Sequence, residues 1–242
     1  MIPSSLSNTF IYHFTPLDNL KKIIESGELE LKAKNICKTV KDISEANIQQ
    51  RRASTKIPFN SSHSMHDYVP FYFCSRSPML LGVIKREIID QHDIIYFEFP
   101  INVLTKFTSF FTDASVNTEI KPNFYRDLEK LIELSWPLIN STGWTYSDED
   151  RHKKMAEALI YNSIPLSEAK YCVVWDAKIK EELEEFLKMH NISNFPEIIF
   201  ESTSRRHWFT HFNNQKPELN GCSIAQGPKE RSSDQYRIAF CS

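Results

Sequence analysis

Val69-Pro70-Phe71-Tyr72-Phe73-Cys74 is an almost unbroken apolar and aromatic run, and it ends in the polar turn Ser75-Arg76-Ser77-Pro78. Its composition predicts a strand from Tyr68 to Cys74, because aromatic and β-branched side chains suit a pleated, half-buried surface. Successive rings would point to opposite faces of a sheet, so Phe71 and Phe73 enter a core while Tyr72 is left to line something else. Arg76 sits in the turn, placed either to bind a phosphate or to brace the loop.

Three further segments share this character: Ile94 to Phe99, Ala169 to Trp175 and Glu197 to Phe200, each short and bounded by polar residues or proline. Helical spacing appears in Leu17 to Ser26, where Leu17, Leu20, Ile23 and Ile24 share a face and Gly27 supplies the stop. Phe124 to Ile139, Asp148 to Tyr161 and Ala177 to Met189 also read as helices. In the last, Ile179, Leu183, Phe186 and Leu187 line one side and charged residues the other, the pattern of a surface helix without chemistry.

Strands and helices alternate irregularly, and five glycines in 242 residues leave no GxGxxG or Walker turn. A Rossmann domain is therefore disfavoured. The five cysteines are scattered without a CxxC pair, which suggests neither a disulfide framework nor a zinc site. A formal charge of −2 argues against a basic protein that coats DNA, so any nucleic-acid contact must be local. No run approaches the length of a membrane span, and Met1-Ile2-Pro3-Ser4-Ser5 lacks the features of a signal peptide, which predicts a cytoplasmic protein. One domain over residues 1–212 is expected. Residues 213–242 have the composition of a flexible extension.

Three segments in order, Ile11-Tyr12-His13-Phe14-Thr15 with Asn19-Leu20 and Gly27, then His66 to Met79, then Arg151 to Tyr161, resemble the DarT family of toxins that transfer ADP-ribose from NAD onto DNA bases. The resemblance runs from about Ile11 to Phe209. It implies an α+β, ADP-ribosyltransferase-like (PARP-like) fold in which two β-sheets form an NAD cleft with helices packed outside. It also implies NAD as co-substrate and no metal.

Residue by residue, the resemblance makes Glu157 catalytic. On a helix from Glu149 to Ile160 this glutamate falls at the edge of the apolar face, and its structural alternative is a half-exposed side chain paired with Lys153. The segment Ile48-Gln49-Gln50-Arg51-Arg52 resembles the family's Ile-x-x-Arg-Arg, whose second arginine is functional, so Arg52 is the second catalytic candidate and also an NAD contact. A guanidinium stays protonated and has no acceptor, so Arg52 is better suited to stabilising negative charge than to removing a proton. His13, Thr15, Asn19, Gly27 and Tyr72 are the remaining NAD candidates. Gly27 is equally explained as a helix stop, Asn19 as a cap, and His13 as a structural strand histidine. Pro16 stands where many DarT-like chains have histidine.

For DNA the candidates are Arg76, Thr112 of Phe110-Phe111-Thr112-Asp113, Trp144 and Tyr146 of the loop before the catalytic helix, and the basic residues Arg151 and Lys154. Aromatic rings beside cations are how single strands are commonly held, although Trp144 and Tyr146 could equally be buried anchors. The implied function is an NAD-dependent, metal-independent DNA ADP-ribosyltransferase acting on single-stranded DNA, thymidine favoured and guanosine second. By resemblance it is a monomeric toxin of a toxin–antitoxin or phage-defence system, with an antitoxin of the macrodomain or another ADP-ribosyl-hydrolase type. Transfer to protein or RNA, or a non-catalytic nucleic-acid-binding module, are the alternatives.

Overall fold

The computed structural model describes residues 1–34, 41–43, 46–116, 121–143, 147–200 and 208–209. In chain order the strands are β1 (Phe10–Pro16), β2 (Glu30–Lys32), β3 (Lys56–Ile57), β4 (Asn60–Ser64), β5 (Tyr68–Tyr72), β6 (Ile94–Pro100), β7 (Ser109–Thr112), β8 (Phe124–Tyr125), β9 (Glu157–Tyr161), β10 (Ser163–Pro165), β11 (Tyr171–Val174) and β12 (Glu197–Phe200). The helices are α1 (Leu17–Glu25), α2 (Ala46–Ser54), α3 (Pro78–Lys85), α4 (Val103–Lys106), α5 (Trp136–Ile139), α6 (Asp148–Lys154) and α7 (Ala177–Met189).

Eight strands form one array in the order β12-β11-β6-β1-β5-β9-β7-β8, while β10-β2 and β3-β4 are separate two-stranded ribbons. β1 pairs with β6 along its whole length, from Phe10 opposite Pro100 to Pro16 opposite Ile94. With β5 it shares a single registered pair, Tyr12 opposite Tyr72. The two expected sheets are thus the two halves of this array, joined at one narrow junction. Every residue of β6 up to Phe99 is buried, as expected of an apolar strand covered on both faces.

One face carries Ile11, Phe71, Phe97, Phe99, Ala158 and Ile160 against Leu20 and Ile24 of α1. The opposite side near β6 packs Tyr12, Ile94, Tyr96 and Trp175 against α3 and the pair Trp208-Phe209. A smaller cluster of Ile57, Met65, Tyr68, Phe110 and Leu159 seats the β3-β4 hairpin. α1 ends as expected, with Gly27 at φ 72°, a left-handed position that suits glycine. α7 spans the expected residues, and the Asp176 side chain caps its first turn by accepting from the Ile179 N–H at 2.9 Å. Among the described residues no helix is long and apolar enough to cross a membrane.

Two expected helices are corrected. Phe124 to Ile139 is the short strand β8, a 3₁₀ segment Leu128–Glu133 and α5, with Pro137 in the first turn of α5. Asp148 to Tyr161 is helical only to Lys154. The apolar run from Ala156 onward then crosses between β5 and β7, with ladder partners on both sides. A run whose residues are buried on both faces fits a central strand as well as a helix stripe, and tertiary pairing decides between them. The Tyr68 to Cys74 strand ends at Tyr72. The extension from residue 213 lies outside the described residues.

Candidate active site

Glu157 is the first residue of β9, not a helical residue, and it lies opposite Tyr72 on β5, which lies opposite Tyr12 on β1. These three side chains therefore share one face at the junction of the two half-sheets. Glu157 is only 4% exposed, and its partner is not Lys153, which instead pairs with Glu149 at 2.7 Å on the surface. Arg52 Nη1 donates to Glu157 Oε2 at 2.6 Å.

Arg52 reaches this position because it is the only buried residue of α2. That helix has no apolar face to seat it. Polar contacts hold it instead: His66 Nε2 lies 2.9 Å from Gln49 Oε1, one turn before Arg52 and on the same side of the helix. His66 belongs to a 3₁₀ turn, Met65–Asp67, closed by a reciprocal capping box between Ser64 and Asp67. Burial, followed by the Arg52 charge, lowers the His66 pKa. The second terminal nitrogen of Arg52, Nη2, is buried without a hydrogen-bond partner. A guanidinium donor left unsatisfied in the interior is costly unless a ligand takes it, so this atom fits a site built to receive an electron-rich group.

Tyr72 is half-buried and stacks on Phe14, with ring centroids 5.9 Å apart and planes 15° from parallel. Burial and then the neighbouring Glu157 charge raise its pKa far above the ordinary value of 10, so the phenol keeps its proton. Phe71 and Phe73 are core residues. His13 sits where β1 and β5 part, and its Nδ1–H donates to the Pro70 carbonyl at 2.8 Å. Because a carbonyl only accepts, this bond fixes the tautomer and leaves Nε2 as an acceptor. Burial lowers the His13 pKa.

The other NAD candidates divide. Thr15 is buried on β1 opposite Ile95. Asn19 is buried and its amide grips the backbone of Lys41 in both directions, Nδ2 to the carbonyl at 2.9 Å and Lys41 N–H to Oδ1 at 3.0 Å. Open space surrounds Gly27, whose helix-stop geometry accounts for it.

The DNA candidates fare differently. Thr112 is fully buried; its hydroxyl donates to the Ala114 carbonyl at 2.8 Å and accepts from the Glu157 N–H at 3.4 Å. The β7-β9 ladder stops at Phe111 opposite Ala158, so this hydroxyl continues the ladder by one side-chain bond. Lys154 is fully buried too, its Nζ donating to the carbonyls of Leu138, Ile139 and Ser141 at 3.2, 3.3 and 2.6 Å. It caps the end of α5 and is corrected from a surface phosphate contact to an internal clamp. Arg151 pairs with Asp148 at 3.0 Å, and Arg76 Nη1 donates to the Thr142 carbonyl at 3.3 Å. Trp144 and Tyr146 lie outside the described residues.

Sequence reasoning missed the latch between His66 and Gln49, although Gln49 stands inside the Ile-x-x-Arg-Arg segment. It also missed the aromatic cluster around Tyr68, because its members come from four separate strands and the β3-β4 turn.

A family model described as "ssDNA thymidine ADP-ribosyltransferase, DarT" matches residues 12–210. The chain is 32% identical over 206 residues to the DNA ADP-ribosyl transferase of Thermus sp. (strain 2.9), covering 83% of this chain and 96% of that protein. Two solved structures of the Thermus sp. 2.9 DarT superpose on it. The complex with ADP-ribosylated ssDNA has a TM-score of 0.74 at 31% identity over 84% of this chain and 97% of the other. The complex with NAD+ has a TM-score of 0.70 at 30% identity over 84% and 98%. A DNA ADP-ribosyl transferase-DNA ADP-ribosyl glycohydrolase fusion protein of Thermosipho africanus is 24% identical over 198 residues, which is 78% of this chain and 48% of the fusion.

Proposed function

The chain belongs to the DarT family, and from that premise we propose that it transfers ADP-ribose from NAD to thymidine in single-stranded DNA. The observation that carries this reading is the buried contact of Arg52 with Glu157 beside Tyr72, on the face where the two half-sheets meet. The Thermus relative with NAD+ and with ADP-ribosylated ssDNA supports both substrates.

Breaking the nicotinamide–ribose bond builds positive charge on the ribose, in an oxocarbenium-like transition state. Glu157 supplies a fixed negative charge there, and a carboxylate that accepts from the ribose 2′-hydroxyl strengthens its hold as that charge grows. Arg52 fixes the carboxylate through one nitrogen and keeps Nη2 for the electron-rich partner, a pyrophosphate oxygen or the acceptor base. Nicotinamide departs with the bonding pair, and the base nitrogen donates a pair to the anomeric carbon and loses its proton. Arg52 has no lone pair to take that proton, whereas the Glu157 carboxylate beside it does. Tyr72, held protonated, offers a ring face and a donor at the same place. His13 projects from the opposite face of β1, 5.6 Å from the Phe71 ring, and its proposed place beside NAD rests on the family resemblance.

The same reading takes the protein as a toxin, with an ADP-ribosyl-hydrolase antitoxin of macrodomain or other type. The Thermosipho relative, named as a transferase fused to a DNA ADP-ribosyl glycohydrolase, supports such a pairing. Incubating the protein with NAD and single-stranded oligonucleotides that carry either thymidine or guanosine as the sole variable base tests the reading. Mass analysis should find ADP-ribose on thymidine. Modification of guanosine alone moves the acceptor to the second base, and no modification of either overturns DNA as substrate.

A further inference from the structure

β9 ends, opposite to Glu157, at Tyr161. Along this strand Glu157, Leu159 and Tyr161 share a face, so the ring of Tyr161 lies about 13 Å from the catalytic position, four residues at ~3.3 Å each. Among the described residues five large hydrophobics are exposed, and two of them, Phe59 at 40% and Tyr161 at 39%, belong to this one patch. They are not isolated. His63 stacks flat on Tyr161, with centroids 4.5 Å apart and planes 1° from parallel, and a hydrogen bond of 3.1 Å between its Nδ1 and the Tyr68 hydroxyl holds the ring in place. Tyr68 meets Phe110 edge to face at 4.8 Å, and Phe110 in turn meets Phe59 at 6.1 Å. The guanidinium of Arg126 lies 5.8 Å from the centre of the Phe59 ring.

The core beneath this patch is filled by Leu159, Phe110 and Met65, so stability alone does not call for outward aromatic rings there. The nearby acids are engaged locally: Asp67 accepts from the Ser64 N–H at 2.7 Å, and Asp127 from the Glu129 N–H at 3.0 Å. An exposed pair of rings with a cation beside one of them is the chemistry that holds single strands without reading sequence: π-faces for bases and a positive charge for the backbone. The patch lies on the strand face that begins with Glu157, on the far side of the β3-β4 hairpin that covers Leu159.

We propose that Phe59, His63, Tyr161 and Arg126 form a stacking platform for nucleotides of the substrate strand that flank the acceptor base. This rests on single-stranded DNA being the acceptor. At ~3.4 Å per stacked nucleotide the platform lies about four nucleotides from the reacting base, and fewer where the strand is extended. A central acceptor with one neighbour on each side falls short of it. A longer oligonucleotide reaches it.

The test compares a trinucleotide with a central acceptor and an oligonucleotide of about sixteen residues containing the same three. In the wild-type protein the longer substrate should have the lower KM. Tyr161→Ala should raise KM for the longer oligonucleotide about tenfold, in the range of one lost stack. It should leave the trinucleotide, the maximal rate and KM for NAD unchanged. Tyr161→Phe, which keeps the ring, should behave as wild type. Arg126→Gln should reduce the slope of log KM against log salt by about 0.7 on the longer substrate only. Equal KM values for the two lengths in the wild type would overturn the platform. So would a Tyr161→Ala protein that melts earlier but handles both substrates normally, the result expected if the patch is structural or meets a protein. If the wild type modifies neither oligonucleotide, the DNA reading itself fails, and the platform with it.

Discussion

Arg52 and Glu157 are 105 residues apart in the chain and meet in a buried contact of 2.6 Å between Nη1 and Oε2. With both side chains under a tenth exposed, water screens the pair little, and each keeps the other in one orientation. Glu157→Gln retains an acceptor for Arg52 and removes the negative charge, so transfer should fall by about 10²- to 10³-fold while the protein stays folded. Glu157→Ala also strands Arg52 in the interior and should cost a further ~3 to 5 kcal/mol of stability. Single-turnover transfer measured beside thermal melts separates the two effects. A folded Gln variant with wild-type turnover removes the catalytic assignment.

Arg51 and Arg52 are adjacent, yet only Arg52 is buried. Arg52→Ala should therefore abolish most transfer, and Arg52→Lys should recover little, since one ammonium cannot hold the carboxylate and present a second planar donor. Arg51→Ala should stay close to wild type. Comparable losses at both positions would show that charge density, not the Arg52 geometry, matters.

The strands with a short, dense run of β-branched and aromatic residues were legible in the sequence. β6, β11 and β12 follow from local composition, and α1 and α7 from spacing plus a stop or a cap. The resemblance brought Glu157, Arg52 and Tyr72 forward, and the fold places them together. The backbone under Glu157 was not legible. Ala156 to Ile160 suits a helix face and a central strand equally, and only the partners β5 and β7, contributed by remote segments, resolve it. Lys154 was misplaced for a related reason. A lysine in a charged stretch reads as surface until the carbonyls of Leu138 and Ile139 in α5 and of Ser141 beyond it surround it.

Thr112 holds the Glu157 N–H where the ladder between β7 and β9 ends. Thr112→Val keeps the shape and loses the hydroxyl, leaving that N–H and the Ala114 carbonyl unsatisfied at a cost of ~1 to 3 kcal/mol. The maximal rate should drop about tenfold at little change in KM for NAD, as expected when a carboxylate is misplaced in the transition state. Thr112→Ser should restore it. A raised KM for oligonucleotide alone would instead make the residue a DNA contact, and lowered stability with a normal rate would make it structural only.

Lys154 is a second discriminating case. Burial lowers its pKa, and its ammonium satisfies three carbonyls at the end of α5 and beyond. Lys154→Met fills similar space without donors and should lower stability by ~2 to 4 kcal/mol. The salt dependence of oligonucleotide binding should not change. A phosphate contact would show the reverse: normal melting and a shallower salt slope.

The burial of His13 links stability to pH, and its hydrogen bond to Pro70 offsets the effect only in part. Burial holds the imidazole pKa below its ordinary 6.5, while the unfolded chain takes up the proton near that value. Between the two the unfolded state binds more protons, so the His13 contribution is complete above about pH 6.5 and is lost as pH falls toward the folded value. Burial lowers His66 and His152 in the same direction, and the wild type should lose stability from all three. His13→Gln removes one of them. Its urea midpoint should start lower at about pH 7.5, where the Pro70 bond is weakened, and then fall less than the wild type's on going to about pH 5.5. Parallel declines in the two proteins would mean that His13 titrates alike in the folded and unfolded chains, and that its burial does not resist the proton.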